Sequence, residues 1–486
     1  MVRARSTVLY VTRVAVGRQS IIARLPAANM LLRSAVKSAG KVLSAPHVPA
    51  VAAAVGGGLA IIYLGRRKFT SGAGRQPWIH MNAAGASPQP DEVHDAMVAH
   101  LELERSVGAY AAASQLAERP ELDAHTALAK LLNCDGDEIA LAESAQRAWA
   151  LCFSSVALTD HDRILCFTDE YAGNAVAFLQ AVKRTGCTLE VLPMRSDGIC
   201  DMEALKTALE NPPRHLVGRG RGPRTVVCLT HVASAGSIVQ PAAEVGVLAK
   251  QHGALYILDA CQSIGQMPVD VRGLRCDFAC GTGRKWLRGP RGTGFLYCRR
   301  GALSGEEPLV GEPATIDHTS VKWTSRDTYE LAAGAARYEM WESSHASRAG
   351  LAAAAAFCSS VGPDVVSERS TALARRLRQG LSQLRGLVLM DAPSSFDEGV
   401  AESLGASRCA HVTFEAETTL RLTAEKIHKG LLEMGIGGSI SPPTHSFDEA
   451  LWRRPRVVRL SPTYFNTEEE VDRVVAAVRE ILCREW

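Results

Sequence analysis

No acidic residue occurs before Asp91, although the same stretch carries twelve of the 54 lysines and arginines. An acid-free, Arg- and Ser-rich start has the composition of a targeting segment. From residue 91 onward 42 basic groups face 51 acidic ones, a net charge of −9. A mildly acidic body excludes nucleic acid as the principal ligand, because phosphates need a basic surface. None of the thirteen cysteines forms a C-x-x-C pair, and no His/Cys cluster has ligand spacing. These absences exclude a disulfide framework and predict no metal site. The scattered cysteines are expected to be buried free thiols in a reducing compartment. There is no internal repeat.

The leader itself is informative. Arg13, Arg18 and Arg24, spaced among apolar residues, suit a basic amphipathic helix and a mitochondrial transit peptide. Val48–Gly65 then runs eighteen residues without charge and is followed by Arg66-Arg67-Lys68. That length just suffices to span a bilayer, with the cluster on the positive side, although Ala/Gly content and Pro49 make insertion marginal. Three readings stay open: a mitochondrial address, a membrane anchor through residues 48–65, or a leader with neither role. The first two are compatible. Residues 1–74 are set apart from the fold.

The body alternates short apolar runs with helical stretches. Predicted strands are Ile139–Ala142, Arg163–Phe167, Thr188–Leu192, Thr225–Thr230, Ala254–Asp259, Asp277–Gly281 and Thr293–Cys298. Continuous apolar runs such as Val226-Val227-Cys228-Leu229 indicate strands buried on both faces, hence an α/β domain with a mostly parallel sheet. Ligands of such sheets sit at the carboxyl ends of strands. A long helical stretch is expected at Tyr329–Ser360, leading into a smaller α+β domain. There a helix is predicted at Val365–Leu384, strands at Leu387–Met390, Cys409–Phe414 and Val457–Leu460, and a final helix opened by the capping box Thr467-Glu-Glu-Glu470. The basic run Arg214–Arg224 reads as a solvated insertion.

One constellation carries chemistry. Lys285 stands in a Gly-rich turn, Cys280-Gly-Thr-Gly-Arg-Lys-Trp-Leu-Arg-Gly289, and Asp259 ends the strand before Ala-Cys-Gln262. An enzyme using pyridoxal 5'-phosphate (PLP) needs a lysine to hold the cofactor and carry the Cα proton, and a carboxylate beside the pyridine nitrogen. It also needs a phosphate cradle and a ring-facing aromatic or His. Lys285 fits the first role and Asp259 the second, although an Asp there also caps helices. Ser144, Ala145 and Gln146 open a helix and suit the phosphate, as do Thr282 and Arg284. Ser144 would equally serve as a plain N-cap. Tyr171 is placed over the ring, with simple core packing as its alternative. His231 and Gln262 are candidates for the phenolic oxygen or the substrate, His231 being as readily structural. Arg459, ending a strand, suits an amino acid's α-carboxylate, or else an internal salt bridge.

Together these motifs resemble the class V aminotransferase family of fold-type I PLP enzymes. The likeness runs from Met81-Asn-Ala-Ala-Gly85 through Ser144-Ala-Gln146, Thr230-His-Val-Ala-Ser234, Asp259-Ala-Cys-Gln262 and Thr282-Gly-Arg-Lys285 to Arg459-Leu-Ser-Pro462. It implies a large PLP-binding domain over residues 75–330 with a mostly parallel seven-stranded sheet, and a small C-terminal α+β domain over 331–486. It further implies a homodimer, PLP on Lys285, and an amino acid substrate held through Arg459. The turn around Lys285 looks most like the ergothioneine C–S lyase and aminotransferase-like branches, so transamination or C–S lysis is expected. A cysteine desulfurase is the disfavoured alternative. Those enzymes usually carry His where Arg284 stands, and no Cys lies between Gly435 and Arg459 to take up sulfur. Retention of Lys285 and Asp259 counts against a non-catalytic, membrane-tethered scaffold. Substrate selectivity is expected in the loops Gly305–Asp317 and Ser439–Glu449.

Overall fold

The computed structural model describes residues 50–55, 58–63, 78–213, 224–304, 310–417, 422–441, 447 and 456–484. The transit-peptide expectation for residues 1–45 and most of the run 214–224 lie outside them, as do parts of both selectivity loops. The chain divides into two units, residues 1–67 and 68–486. In the first, Ala50–Val55 pairs antiparallel with Gly58–Tyr63, so the described part of the uncharged stretch forms two short strands. Among the described residues no single helix is long and apolar enough to cross a membrane.

The second unit is built on a seven-stranded sheet. Its strands are β1 (Ile139–Ala142), β2 (Arg163–Phe167), β3 (Thr188–Leu192), β4 (Thr225–Thr230), β5 (Leu255–Asp259), β6 (Phe278–Thr282) and β7 (Gly294–Cys298). Their order across the sheet is β1-β7-β6-β5-β4-β2-β3. All pairings are parallel except those of β7, which runs antiparallel to both β6 and β1. Strands β2, β4, β5, β6 and β7 are buried along their whole length, as strands covered on both faces must be. Separate apolar cores fill the two sides of the sheet. This is the α/β fold-type I architecture.

The predicted helix over Tyr329–Ser360 is corrected. Tyr329–Leu331 pairs instead with Val321–Trp323 as an antiparallel hairpin, and a 3₁₀ turn follows at Gly334–Tyr338. Gly334 has φ +61°, outside the right-handed helical region, so no α-helix runs through it. The helix begins only at His345, capped by the Ser344 hydroxyl, and ends at Val361. Its face of Ala349, Gly350, Ala352 and Ala355 permits close packing on helices Asp91–Val107 and Ala124–Leu132. A Cβ on Gly350 would lie 2.6 Å from Met97 Cγ. This helix therefore belongs to the large core rather than to the C-terminal domain.

Beyond Gly362, helix Pro363–Ser382 and a four-stranded antiparallel sheet form the small core. That sheet comprises β8 (Leu387–Leu389), β9 (Val412–Ala416), β10 (Ser439–Ser441) and β11 (Val457–Leu460), in the order β8-β9-β11-β10. The final helix, Glu468–Cys483, opens on the predicted capping box of Thr467 and Glu470. Two segments distant in sequence enter this core: Ile79–Ala84, and Trp286. Met81 N–H donates to Gly437 O at 2.7 Å and Ser461 N–H to Met81 O at 2.8 Å. The residue after Lys285 is thus anchored in one core while the Lys285 turn packs on the other.

Candidate active site

Strands β4, β5 and β6 deliver Thr230, Asp259 and Thr282 to the rim of one cavity of about 360 Å³ at their carboxyl ends. The helix Ala145–Ser155 begins on the same rim. Its N-cap, the Ser144 hydroxyl, accepts the Arg147 N–H at 3.1 Å. The N–H groups of Ala145 and Gln146 have no intrahelical acceptor, and both residues line the cavity. Gly294 on β7 makes this placement possible. A Cβ there would stand 2.2 Å from the Ser144 carbonyl carbon and 2.3 Å from Ala145 N, so any side chain would push the helix start off the sheet.

Lys285 is half-buried and lines the cavity, in a turn closed by Gly289 N–H to Gly283 O at 2.7 Å and Arg288 N–H to Lys285 O at 3.1 Å. Burial lowers its pKa below the ordinary lysine value. The charges of Cys261 and Asp259 oppose that shift, and those of Arg284 and Arg459 reinforce it. A lysine with a depressed pKa is the better nucleophile. Asp259 is held at both oxygens: Asn174 Nδ2 donates to Oδ2 at 2.9 Å and Cys261 N–H to Oδ1 at 3.0 Å.

The other predicted site residues divide. Ser144, Ala145, Gln146, Tyr171, Thr282 and Arg284 all line the cavity with Lys285 and Asp259. Tyr171 stays 44% exposed at the mouth rather than in the core. The Arg284 guanidinium donates to Gly85 O and so ties the Asn82–Gly85 turn to the site. Gln262 lines the cavity, but both ends of its amide are engaged: Oε1 accepts from Trp286 Nε1 at 2.9 Å and Nε2 donates to Ala84 O at 3.3 Å. His231 sits behind the wall, its Nδ1 2.9 Å from Ser263 Oγ, and burial lowers its pKa to about 4. Thr230 and Val232, on either side of it, line the cavity. Arg459 is buried behind Ser234, donating to Ser234 O at 2.7 Å and Ser439 Oγ at 3.2 Å. Among the described residues it has no carboxylate partner.

Sequence reasoning missed Asn174, Glu170, Cys261 and Arg291. Asn174 had a signal: it follows Tyr171 by three residues on the helix Ala172–Thr185 and so returns to the same rim. It also donates to Glu170 Oε1 at 2.9 Å. Burial, helped by the Asp259 charge, lifts the Glu170 pKa to about 7 against hydrogen bonds from Thr230, Asn174 and the Tyr171 N–H. A carboxyl whose folded-state pKa is raised stabilises the fold least above that pKa. Its contribution is fully present below pH 4.5 and is lost as pH rises to about 7. Glu170→Gln should therefore gain stability relative to wild type at pH 8 but not at pH 4.5, by up to roughly 3 kcal/mol. Melting temperatures of the two proteins at both pH values test this, and an offset independent of pH would refute it.

The cavity fits an anionic ligand. Arg284, Lys285 and Arg291 line it with Arg459 behind, and none is ion-paired to a carboxylate among the described residues. Cationic excess beside two free helix-start N–H groups is a site for phosphate, and a carboxylate against a ring nitrogen is what Asp259 is placed to supply. For metals, one group of potential ligands exists among the described residues, Asp259, Cys261 and Cys280. All thirteen cysteines are free, and all but Cys134, Cys261 and Cys483 are buried.

Residues 79–474 match the family model for class V aminotransferases. The chain belongs to that family, and its cofactor is PLP. A probable cysteine desulfurase of Methanothermobacter thermautotrophicus is 26% identical over 407 residues, covering 83% of this chain and 94% of that protein. The cysteine desulfurase of Escherichia coli O127:H6 is 27% identical over 320 residues, covering 66% and 71%. Among solved structures, the apo cysteine desulfurase of Thermococcus onnurineus NA1 superposes with a TM-score of 0.71 at 21% identity, covering 84% of this chain and 95% of that one. A cystine C–S lyase in complex with cysteine persulfide gives 0.65 at 23% identity, covering 83% and 97%.

Proposed function

We propose that this enzyme breaks the C–S bond of cysteine or a cysteine derivative, the chemistry named for the cysteine desulfurases it resembles. The observation that carries the reading is that Lys285 and Asp259 line one cavity, together with Arg284 and Arg291, and that these cations have no carboxylate partner among the described residues. The activities named for its relatives favour sulfur removal over transamination. PLP, when bound, supplies the electron sink that makes a Cα proton removable. The protein supplies the rest. The first turn of the helix Ala145–Ser155, with Thr282, would hold the phosphate, and Asp259 would hold the ring nitrogen protonated. Lys285 would take the proton from Cα and return it, and Arg459 would fix the α-carboxylate so that Cα faces the amine.

A specific observation favours elimination as the course of cleavage. Between Gly435 and Arg459 the chain has no cysteine, so that segment offers no thiol to accept sulfur. Incubation of the purified full chain with L-cysteine and no keto acid tests both points. Sulfide should appear, with pyruvate and ammonia marking elimination and alanine marking sulfur transfer. Strict dependence on an added keto acid would overturn the proposal in favour of transamination.

We also propose a homodimer, and a leader that directs the chain to mitochondria, with residues 48–65 able to contact a membrane. Mass measurement in solution and the size of the mature N-terminus test these points.

A further inference from the structure

Two cysteines meet at the floor of the cofactor cavity. Cys261 follows Asp259 by two residues, lines the cavity and is only partly buried. Cys280 is buried on β6, in register with Asp259 of β5. Ala260 N–H donates to Cys280 O at 3.0 Å, which sets the chain leaving β5 against the end of β6. As a result both Sγ atoms and an Asp259 carboxylate oxygen lie within 4.8 Å of one another. The Cys280 thiol is hydrogen-bonded to Cys261, and that bond together with burial raises its pKa well above the usual range. None of the other eleven cysteines lines this cavity. The reaction proposed above uses neither thiol.

We propose that Cys261 and Cys280 form an oxidisable dithiol whose disulfide closes the cofactor site when PLP is absent. The oxidant is hydrogen peroxide. Cys261 is the reached thiol, because it opens on the cavity beside the cations of Lys285 and Arg284, and Cys280 is the buried resolving partner. The Cys261 thiolate attacks the O–O bond, giving a sulfenic acid and hydroxide, which takes up the thiol proton as water. The Cys280 sulfur then attacks the sulfenic sulfur. The S–S bond forms, the S–O bond breaks, and a second water leaves with the Cys280 proton. Two thiols lose two electrons and two protons, and the peroxide is reduced to two waters.

Bonded sulfurs stand about 2 Å apart, so closure draws Cys261 toward β6. Cys261 N–H is bonded to Asp259 Oδ1, and this movement pulls the carboxylate out of place. A cofactor lying between Lys285 and Asp259 would cover Cys261, so oxidation is confined to the empty enzyme. The proposal rests on PLP occupying this cavity and not on the choice of substrate.

The test treats the full chain, stripped of PLP or loaded with it, with hydrogen peroxide. Non-reducing digestion and mass spectrometry should find a Cys261–Cys280 linked peptide in the stripped form only. PLP uptake, read by visible absorbance, should fall by roughly tenfold or more and return with dithiothreitol. In Cys280→Ala, oxidation should halt at a Cys261 sulfenic acid trapped by dimedone. Absence of the linked peptide overturns the proposal, as does its formation without loss of PLP uptake or equally in the loaded form. If the untreated, stripped chain takes up no PLP, the cofactor assignment fails, a result separate from the peptide map.

Discussion

Lys285→Ala should abolish turnover and leave a protein that loses its PLP on dialysis. Acid–base assistance by one positioned group contributes about 10²–10⁴-fold in rate, and loss of the covalent hold on the cofactor adds to that. A fall of at least ~10³-fold in product formation is therefore expected. The fold should survive, because the turn's own hydrogen bonds run through the backbone of Gly283, Gly289 and Arg288 and do not use the lysine side chain. Visible absorbance before and after dialysis, beside a melting curve, separates the two effects. A variant that keeps its bound PLP and more than a tenth of its rate would remove Lys285 from the reaction.

Arg459→Ala should act mainly on KM. A charge-assisted, two-point contact with a carboxylate is worth about 2–4 kcal/mol in a buried site, so kcat/KM should fall roughly 30- to 1000-fold. Arg459→Lys should recover only part of this, because an ammonium cannot reproduce the guanidinium fork. The Arg459 contacts with Ser234 O and Ser439 Oγ are structural. Melting temperature must be followed in parallel, and the lysine variant is the informative one if the alanine variant is unstable. An unchanged KM in a folded variant would leave Arg459 a structural residue of β11.

The large domain was legible because its strands are buried on both faces. Val226–Leu229 and Leu255–Leu258 are apolar without interruption, as strands covered on both faces require. The reversal of β7 was not legible, since an apolar strand reads the same in either direction. Lys285 and Asp259 were recognisable from their local surroundings of glycine and strand end. Asn174, Glu170 and Cys261 were not, because their importance comes from what β4, β5 and the helix Ala172–Thr185 bring together. Gln262 and His231 carried the right chemistry at the right places in the chain. Their tertiary partners were not legible: Trp286 and Ala84 bond the Gln262 amide, and Ser263 lies against Nδ1 of His231. The stretch after Tyr329 misled because alanine-rich helical composition outweighed a single glycine at positive φ.

The joining of Ile79–Ala84 to the C-terminal core bears on how the protein is made. Ala84 N–H donates to Ser461 Oγ at 3.0 Å across 377 positions of sequence, and Ala84 O in turn receives Gln262, which holds Trp286 beside Lys285. A segment near the start of the body cannot dock until the last strand has left the ribosome. Contacts of such long sequence separation form late and slowly, because chain entropy must be lost before they reward it. The seven-stranded sheet can collapse during synthesis, whereas the lysine's surroundings are completed only after release. A nascent chain stalled before Val457 would therefore present Lys285 on an unfinished support.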